Sequence, residues 1–359
     1  MLVPKTVRVG VVDDSSLIRT VLRDSLDQHP KIKVVGVGKS IMEAEYMAFK
    51  KDLDVLVLDV ILPDGNGAEL TKKIQKKRKL PIILMSSLDK HELDEVLSLA
   101  FSNPLIEFVS KTPQGKGFKK VIQDIRTKIL AFAAFQSINK TKAITKQMFS
   151  QKSSDLKSLP PLQPTNSLIV IGASTGGPKA LYKILPKLPS NIPPVIVVQH
   201  MPRGFTKNFA ERLNEKASVR VKEAEDGEII RPGIVYIAPA GRHLKVVRAT
   251  EYGLGNYKFE LSDGPPKNFV KPSVDVTLES IYHNYNGNVL VTILTGMGKD
   301  GAEGCKLIKS KGGKIIAEDQ STAVIYGMPK AVIENNLADL VIPLYDIPKA
   351  INQLMRNNN

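Results

Sequence analysis

The chain has 359 residues, 42% of them hydrophobic, enough for two globular cores at roughly 100–200 residues per domain. Its one cysteine, Cys305, excludes an internal disulfide, and no run approaches the ~18–20 apolar residues of a membrane-spanning helix. The net charge of +15 is spread over scattered lysines, as in KKRK around Lys77, with no zinc-finger spacing or RNA-binding signature. A lysine-rich solvated surface or an acidic partner therefore fits better than nucleic acid.

The start, MLVPKTVRVGVVDDSS, runs from its apolar stretch straight into Asp13 and Asp14, unlike a secretory signal, so a cytoplasmic protein is expected. VRVGVV, KVVGVG, DVLVLD, PIILMS and IEFVSK read as buried strands. SSLIRTVLRDSL and SIMEAEYMAFKK have helical periodicity, and GKGFKKVIQDIRTKILAFAAF reads as a closing helix. Continuous apolar strands alternating with helices predict a parallel, doubly wound sheet. From about Asn139 to Asn166 the chain is polar, lysine-rich and ends in prolines, the composition of an extended linker. A second alternating block follows: SLIVIG, PVIVVQH, NVLVTILTG and GKIIAED as strands, with helices at GGPKALYKILPKL, TKNFAERLNEK, VDVTLESIYHNY and AEGCKLIKSKG. Between Val219 and Leu261 the segments GIVYIAP, HLKVVRA and YKFELS are shorter and predict an antiparallel excursion. The expected boundaries are 1–125, a helix end and basic linker over 126–166, and a second α/β domain over 167–356.

In an open parallel sheet the functional crevice lies beyond the carboxyl ends of the strands. Asp13 and Asp14 end the first strand, Asp59 the third, Ser86 the fourth and Lys111 the fifth. Three carboxylates gathered there call for a hard cation with oxygen ligands, for which Mg²⁺ is suited. One of them can then accept a phosphoryl group, with Lys111 and the Ser86 hydroxyl on the new phosphate oxygens. A single aspartate at a strand end is commonly a helix cap; this set together is not.

In the second block, Gly172-Ala173-Ser174-Thr175-Gly176 fits a strand-turn-helix nucleophile elbow. Of five histidines, His200 ends a strand at the same sheet edge, and Asp300 follows another buried strand in Leu294–Gly301. Ser174, His200 and Asp300 can converge there, with backbone N–H groups near Met297 and His200 as oxyanion donors. Ser174, Asp226 and His243 would satisfy the α/β-hydrolase chain order instead, although Asp226 lies in the loop EAEDGE, away from any parallel strand end. A dinucleotide site is disfavoured because the G-x-G-x-x-G spacing is absent.

These residues carry two resemblances. The first half resembles a response-regulator receiver domain. That implies a flavodoxin-like fold, Asp59 as the phosphorylated aspartate, Asp13 and Asp14 as its metal partners, and Ser86, Lys111 and Phe108 as switch residues. Ile61, Gly65-Asn66-Gly67 and Thr112 depart from the usual pattern and bear on the lifetime of the phosphoryl group. IGASTGGP, VVQHMPRGFTKNFAERLN, YIAPAGRH, LTGMGKDGAEG and AVIYGMPKAVIE, in that order, resemble the chemotaxis methylesterase (CheB) family. The resemblance implies a Rossmann-like serine esterase domain with Ser174 as nucleophile, His200 as base, Asp300 as its orienter, and Thr175 and Met297 lining the site. It further implies glutamyl methyl esters, and glutamines, on the cytoplasmic helices of methyl-accepting receptors as substrates, and no cofactor for ester hydrolysis. A histidine kinase would be the phosphodonor, with the receiver covering the esterase site until Asp59 is phosphorylated. Neither nucleic acid binding nor membrane insertion is expected. A binding protein with an inert esterase half is disfavoured by the intact triad, and a transcription regulator by the lack of a compact helix-turn-helix.

Overall fold

The computed structural model describes residues 6–87, 96, 99, 100, 103, 105–111, 117–145, 166–249 and 256–355. The chain divides into two compact units, Met1–Ala143 and Ile144–Asn359.

In the first unit, β1 (Val7–Val12), β2 (Ile32–Gly38), β3 (Val55–Asp59), β6 (Ile82–Ser86) and β7 (Ile106–Ser110) form one sheet in the order β2-β1-β3-β6-β7. Every neighbouring pair is parallel. A two-residue hairpin, β4 (Ile61–Leu62) with β5 (Gly65–Asn66), interrupts the alternation just after β3. Setting it aside, the order is that of flavodoxin-like sheets, with the strand direction of winding reversing between β1 and β3. The helices α1 (Ser16–Asp27), α2 (Ile41–Lys50) and α3 (Gly67–Lys77) start on side-chain caps from Ser15, Ser40 and Asn66. Each cap satisfies a backbone N–H that the first helical turn would otherwise leave open. Val9, Val11, Val57, Ile83 and Met85 on the strands, with Leu22 and Leu26 on α1, form one face of the core.

The closing helix α4 runs Lys119–Thr145, beyond Phe135 where the apolar pattern stops. The first seven residues expected as linker, 139–145, are helical; they contain neither Gly nor Pro, so nothing in them breaks the helix. The rest of the expected linker up to Thr165 lies outside the described residues, as do Thr112, Pro113 and His91.

In the second unit, seven strands form a parallel sheet in the order β10-β11-β9-β8-β14-β15-β16. They are β8 (Ser167–Ala173), β9 (Val195–Gln199), β10 (Arg220–Glu223), β11 (Ile234–Ile237), β14 (Asn288–Ile293), β15 (Lys314–Glu318) and β16 (Leu340–Ile342). All seven residues of β8 are buried, as a central strand covered on both faces requires. The antiparallel excursion is narrower than expected. GIVYIAP joins the parallel sheet beside β9, and among the described strands of this unit β12 (His243–Arg248) and β13 (Tyr257–Ser262) are the pair that runs antiparallel. That hairpin packs on helix α7 (Val274–Asn284): Ser280 Oγ accepts the Val246 N–H at 2.9 Å and Thr277 Oγ1 donates to the Leu244 carbonyl at 2.8 Å. The winding changes direction between β8 and β14, the place where such sheets form their functional crevice beyond the carboxyl ends of the strands. The remaining helices are α5 (Gly177–Ile184), α6 (Thr206–Asn214), α8 (Ala302–Ser310), α9 (Met328–Glu334) and α10 (Ile347–Leu354). Among the described residues no helix is long and apolar enough to cross a membrane.

Candidate active site

The first unit gathers the predicted acidic set at the β1/β3 reversal. Carboxylate oxygens of Asp13, Asp14 and Asp59 lie within 4.8 Å of one another; Asp13 and Asp59 are buried and Asp14 is exposed. Lys111 pairs with Asp59 and, at 2.7 Å, with Asp13. Burial pushes the Asp59 carboxyl up to about 6; Lys111 opposes this and Asp13 adds to it. The Lys111 ammonium, penalised by burial, is nevertheless raised by its two carboxylates. Three oxygen-bearing acids held this close, one destabilised as an anion, suit a hard dication better than any softer metal. Ser86 and Phe108 are both buried on the adjacent strands β6 and β7. Gly67 has a local reason: a Cβ there would run into the Asp59 carbonyl oxygen. Ile61 is 54% exposed, so the residue two places after Asp59 faces outward.

In the second unit Ser174, His200 and Asp300 follow β8, β9 and β14 at one sheet edge. His200 Nε2 stands 2.8 Å from Asp300 Oδ2. Ser174 is tied in through the backbone. Its N–H donates to the Thr295 carbonyl at 3.0 Å, and the His200 N–H donates to the Ala173 carbonyl at 3.0 Å. Gln199, buried at the end of β9, donates from Nε2 to both the Ser174 carbonyl (2.9 Å) and the His200 carbonyl (3.0 Å). The Ser174 turn and the His200 loop are thus clamped by one side chain. Gly177 leaves room for that clamp, since a Cβ there would strike Gln199 Oε1.

Asp300 is almost completely enclosed. Burial alone would raise its carboxyl, but the His200 imidazole, then the Ser273 hydroxyl at 2.7 Å and the Val274 N–H at 2.7 Å, hold it down at about 2. These last two donors belong to the start of α7, where Ser273 is the cap, so the positive end of the helix dipole faces the carboxylate. With Asp300 ionised, Nε2 of His200 must donate, and in a neutral imidazole Nδ1 is then the proton acceptor. The more familiar arrangement has Nδ1 on the carboxylate and Nε2 on the serine. Among the described residues Ser174 Oγ makes no hydrogen bond, a looseness common before substrate binds.

The predicted oxyanion donors divide. The N–H groups of Ser174 and His200 are committed to neighbouring carbonyls, whereas among the described residues those of Thr175 and Met297 have no acceptor. The Met297 loop is pinned by the Tyr326–Met328 turn: the Gly296 carbonyl accepts from Gly327 at 3.0 Å and from Met328 at 2.8 Å. The alternative pair does not meet. Asp226 Oδ1 accepts the Leu261 N–H at 2.7 Å, and buried His243 sets Nε2 3.0 Å from the Pro265 carbonyl. Three supporting residues escaped the motif reading. Gln199 lay inside the QHMP string beside its histidine; Ser273 was visible as a helix cap before VDV; Glu318, which accepts the Thr295 N–H at 2.7 Å, gave no signal.

A model of the CheB methylesterase family, described as "CheB methylesterase", matches residues 169–351, and one of the response regulator receiver domain matches 9–123. The chain belongs to the CheB methylesterase family. It is 41% identical to a protein-glutamate methylesterase/protein-glutamine glutaminase of Thermotoga maritima, over 98% of this chain and 99% of that relative. A relative of the same name from Archaeoglobus fulgidus is also 41% identical, over 96% of this chain and 97% of its own length. Among solved structures, the Thermotoga maritima CheB methylesterase catalytic domain matches with a TM-score of 0.50 at 46% identity, covering 55% of this chain and 100% of that one. Both halves of a CheB chain are therefore present: an α/β receiver and an α/β methylesterase domain.

Proposed function

We propose that this chain is a phosphorylation-activated protein-glutamate methylesterase acting on methyl-accepting chemotaxis receptors, with Ser174, His200 and Asp300 as its catalytic triad. The 2.8 Å His200–Asp300 pair beside the elbow of Ser174 is the observation that carries this reading. Ser174 Oγ attacks the glutamyl ester carbonyl carbon while His200 Nδ1 takes its proton. Charge developing on the carbonyl oxygen falls within reach of the Thr175 and Met297 N–H groups. The bond to the methoxy oxygen breaks, the imidazolium returns its proton, and methanol leaves an acyl-serine. Water, deprotonated by His200, then releases the glutamate and restores Ser174. On a receptor glutamine the same steps expel ammonia.

In the receiver, Asp59 takes the phosphoryl group of a chemotaxis histidine kinase: an Asp59 Oδ–P bond forms as the donor N–P bond breaks. Lys111 and the Ser86 hydroxyl hold the phosphoryl oxygens, and Phe108 reports the change. Asp13, Asp14 and Asp59 would hold Mg²⁺, which when bound offsets the charge of phosphate and carboxylates. Phosphorylation shifts the population towards the active arrangement. In this reading residues 1–125 are the receiver, 126–166 a helix end and basic linker, and 167–356 the catalytic domain. The cytoplasm is the compartment that these partners require. The test is methanol release from methylated receptor membranes: Ser174→Ala and Asp300→Asn are expected to lose it, and unchanged release by either variant would refute the triad.

A further inference from the structure

The turn Lys267–Val270 has a feature that the hydrolytic scheme leaves unused. Asn268 and Phe269 both stand in the left-handed region, at φ of 53° and 65°. Such a backbone is unfavourable for residues with a side chain, least so for asparagine, and two in succession persist only where surroundings hold them. Here the Val270 N–H donates to the Lys267 carbonyl at 3.1 Å, and the Gly241 N–H to the Lys271 carbonyl at 3.0 Å.

The turn delivers the Asn268 amide between two buried carboxyls. Asn268 Nδ2 lies 2.7 Å from Asp275 Oδ2 and 3.1 Å from Asp300 Oδ1. An amide nitrogen carries two N–H groups, and carboxylates only accept, so each acid receives one donor. The other oxygen of Asp275 accepts the N–H groups of Gly301 (2.9 Å) and Gly304 (2.8 Å), the start of the helix that follows Asp300. Asp275 is pushed up first by burial and further by the Asp300 charge. Two acids this close repel when both are ionised. A neutral double donor between them relieves the repulsion without adding charge.

We propose that Asn268 is a positioning residue of the esterase: its amide aims the Asp300 carboxylate at His200 and separates it from Asp275. The proposal rests on the triad reading given above. Among the described residues Asp300 touches five donors, and Asn268 is the one supplied from outside its own loop, the α7 start and the histidine it serves.

The test uses the full chain on methylated receptor membranes, following methanol release from pH 5 to 9. Asn268→Gly keeps the left-handed backbone and deletes the donors; Asn268→Asp puts a third acid in their place. For Asn268→Gly, kcat is expected to fall about 10–100-fold, as a misaimed catalytic group does, with KM little changed. The acid limb of the kcat profile should move to higher pH, because a carboxylate relieved of a donor holds the imidazolium proton more tightly. Asn268→Asp should move it further, and carries the comparison should the glycine variant prove too unstable to assay. A merely structural role would lower the thermal midpoint and leave the limb in place. Wild-type kcat with an unmoved limb in Asn268→Gly overturns the proposal while leaving the triad intact. Full activity in a parallel Ser174→Ala control overturns the triad, and this proposal with it.

Discussion

Glu318 is buried at the end of β15, with Oε2 on the Thr295 N–H at 2.7 Å. Burial pushes its carboxyl from the ordinary 4.5 up to about 7, against the Thr295 N–H and the Thr322 hydroxyl. The unfolded chain releases this proton near 4.5 and the folded chain near 7. Between those values the folded state binds more protons, so stability falls as pH rises through the window and stays reduced above it. Glu318→Gln should match wild type at pH 4.5 and exceed it at pH 8. A gain of about 2–4 °C in thermal midpoint corresponds to ~1 kcal/mol in a domain of this size. Equal midpoints at pH 8 would mean that the buried acid is solvated some other way. Asp300 has the opposite sign: held down at about 2, it stabilises the fold above its ordinary value and is lost only in strong acid. At the same scale, the gathering of Ser174, His200 and Asp300 at one sheet edge could be expected from sequence because each follows a buried strand. Gln199, Glu318 and Asn268 could not, because their partners are set by loop geometry across the sheet edge.

At the scale of elements, two left-handed glycines separate strain from site geometry. Gly176, at φ 78°, opens α5, and a Cβ there would come within 2.7 Å of Val324 Cβ; Gly312, at φ 82° after α8, has open space around it. Alanine at either position should cost roughly 1–2 kcal/mol of backbone strain. Only Gly176→Ala should also reduce methanol release, since it displaces the turn that presents Ser174. Equal activity losses in the two variants would point to global destabilisation. Most elements were legible from strand composition and helix period. The exceptions have physical causes: a four-residue strand such as β11 alternates alike in parallel and antiparallel pairing, and the apolar stripe of α3, Ala68, Leu70 and Ile74, is buried in a lysine-rich sequence. Within the basic run at its end, Arg78 is structural, donating to the Ala48 carbonyl at 2.6 Å and the Leu53 carbonyl at 2.6 Å.

Across the whole molecule, two parallel sheets each gather their candidate residues where the winding reverses: an acid cluster at β1 and β3, and Ser174 with the His200–Asp300 pair at β8 and β14. The first suits a phosphoryl switch and the second an acyl transfer, and the family membership joins them in one chain. Calorimetric titration with Mg²⁺ should detect binding by wild type and none by Asp13→Asn, and equal binding by both would remove Asp13 from the cation site. The most direct measurement is methanol release from methylated receptor membranes, with and without a small phosphodonor and Mg²⁺, for wild type, Asp59→Ala and Ser174→Ala. The phosphodonor is expected to accelerate wild type, leave Asp59→Ala at its basal rate, and draw no methanol from Ser174→Ala. Release from Ser174→Ala at the wild-type rate would contradict this expectation.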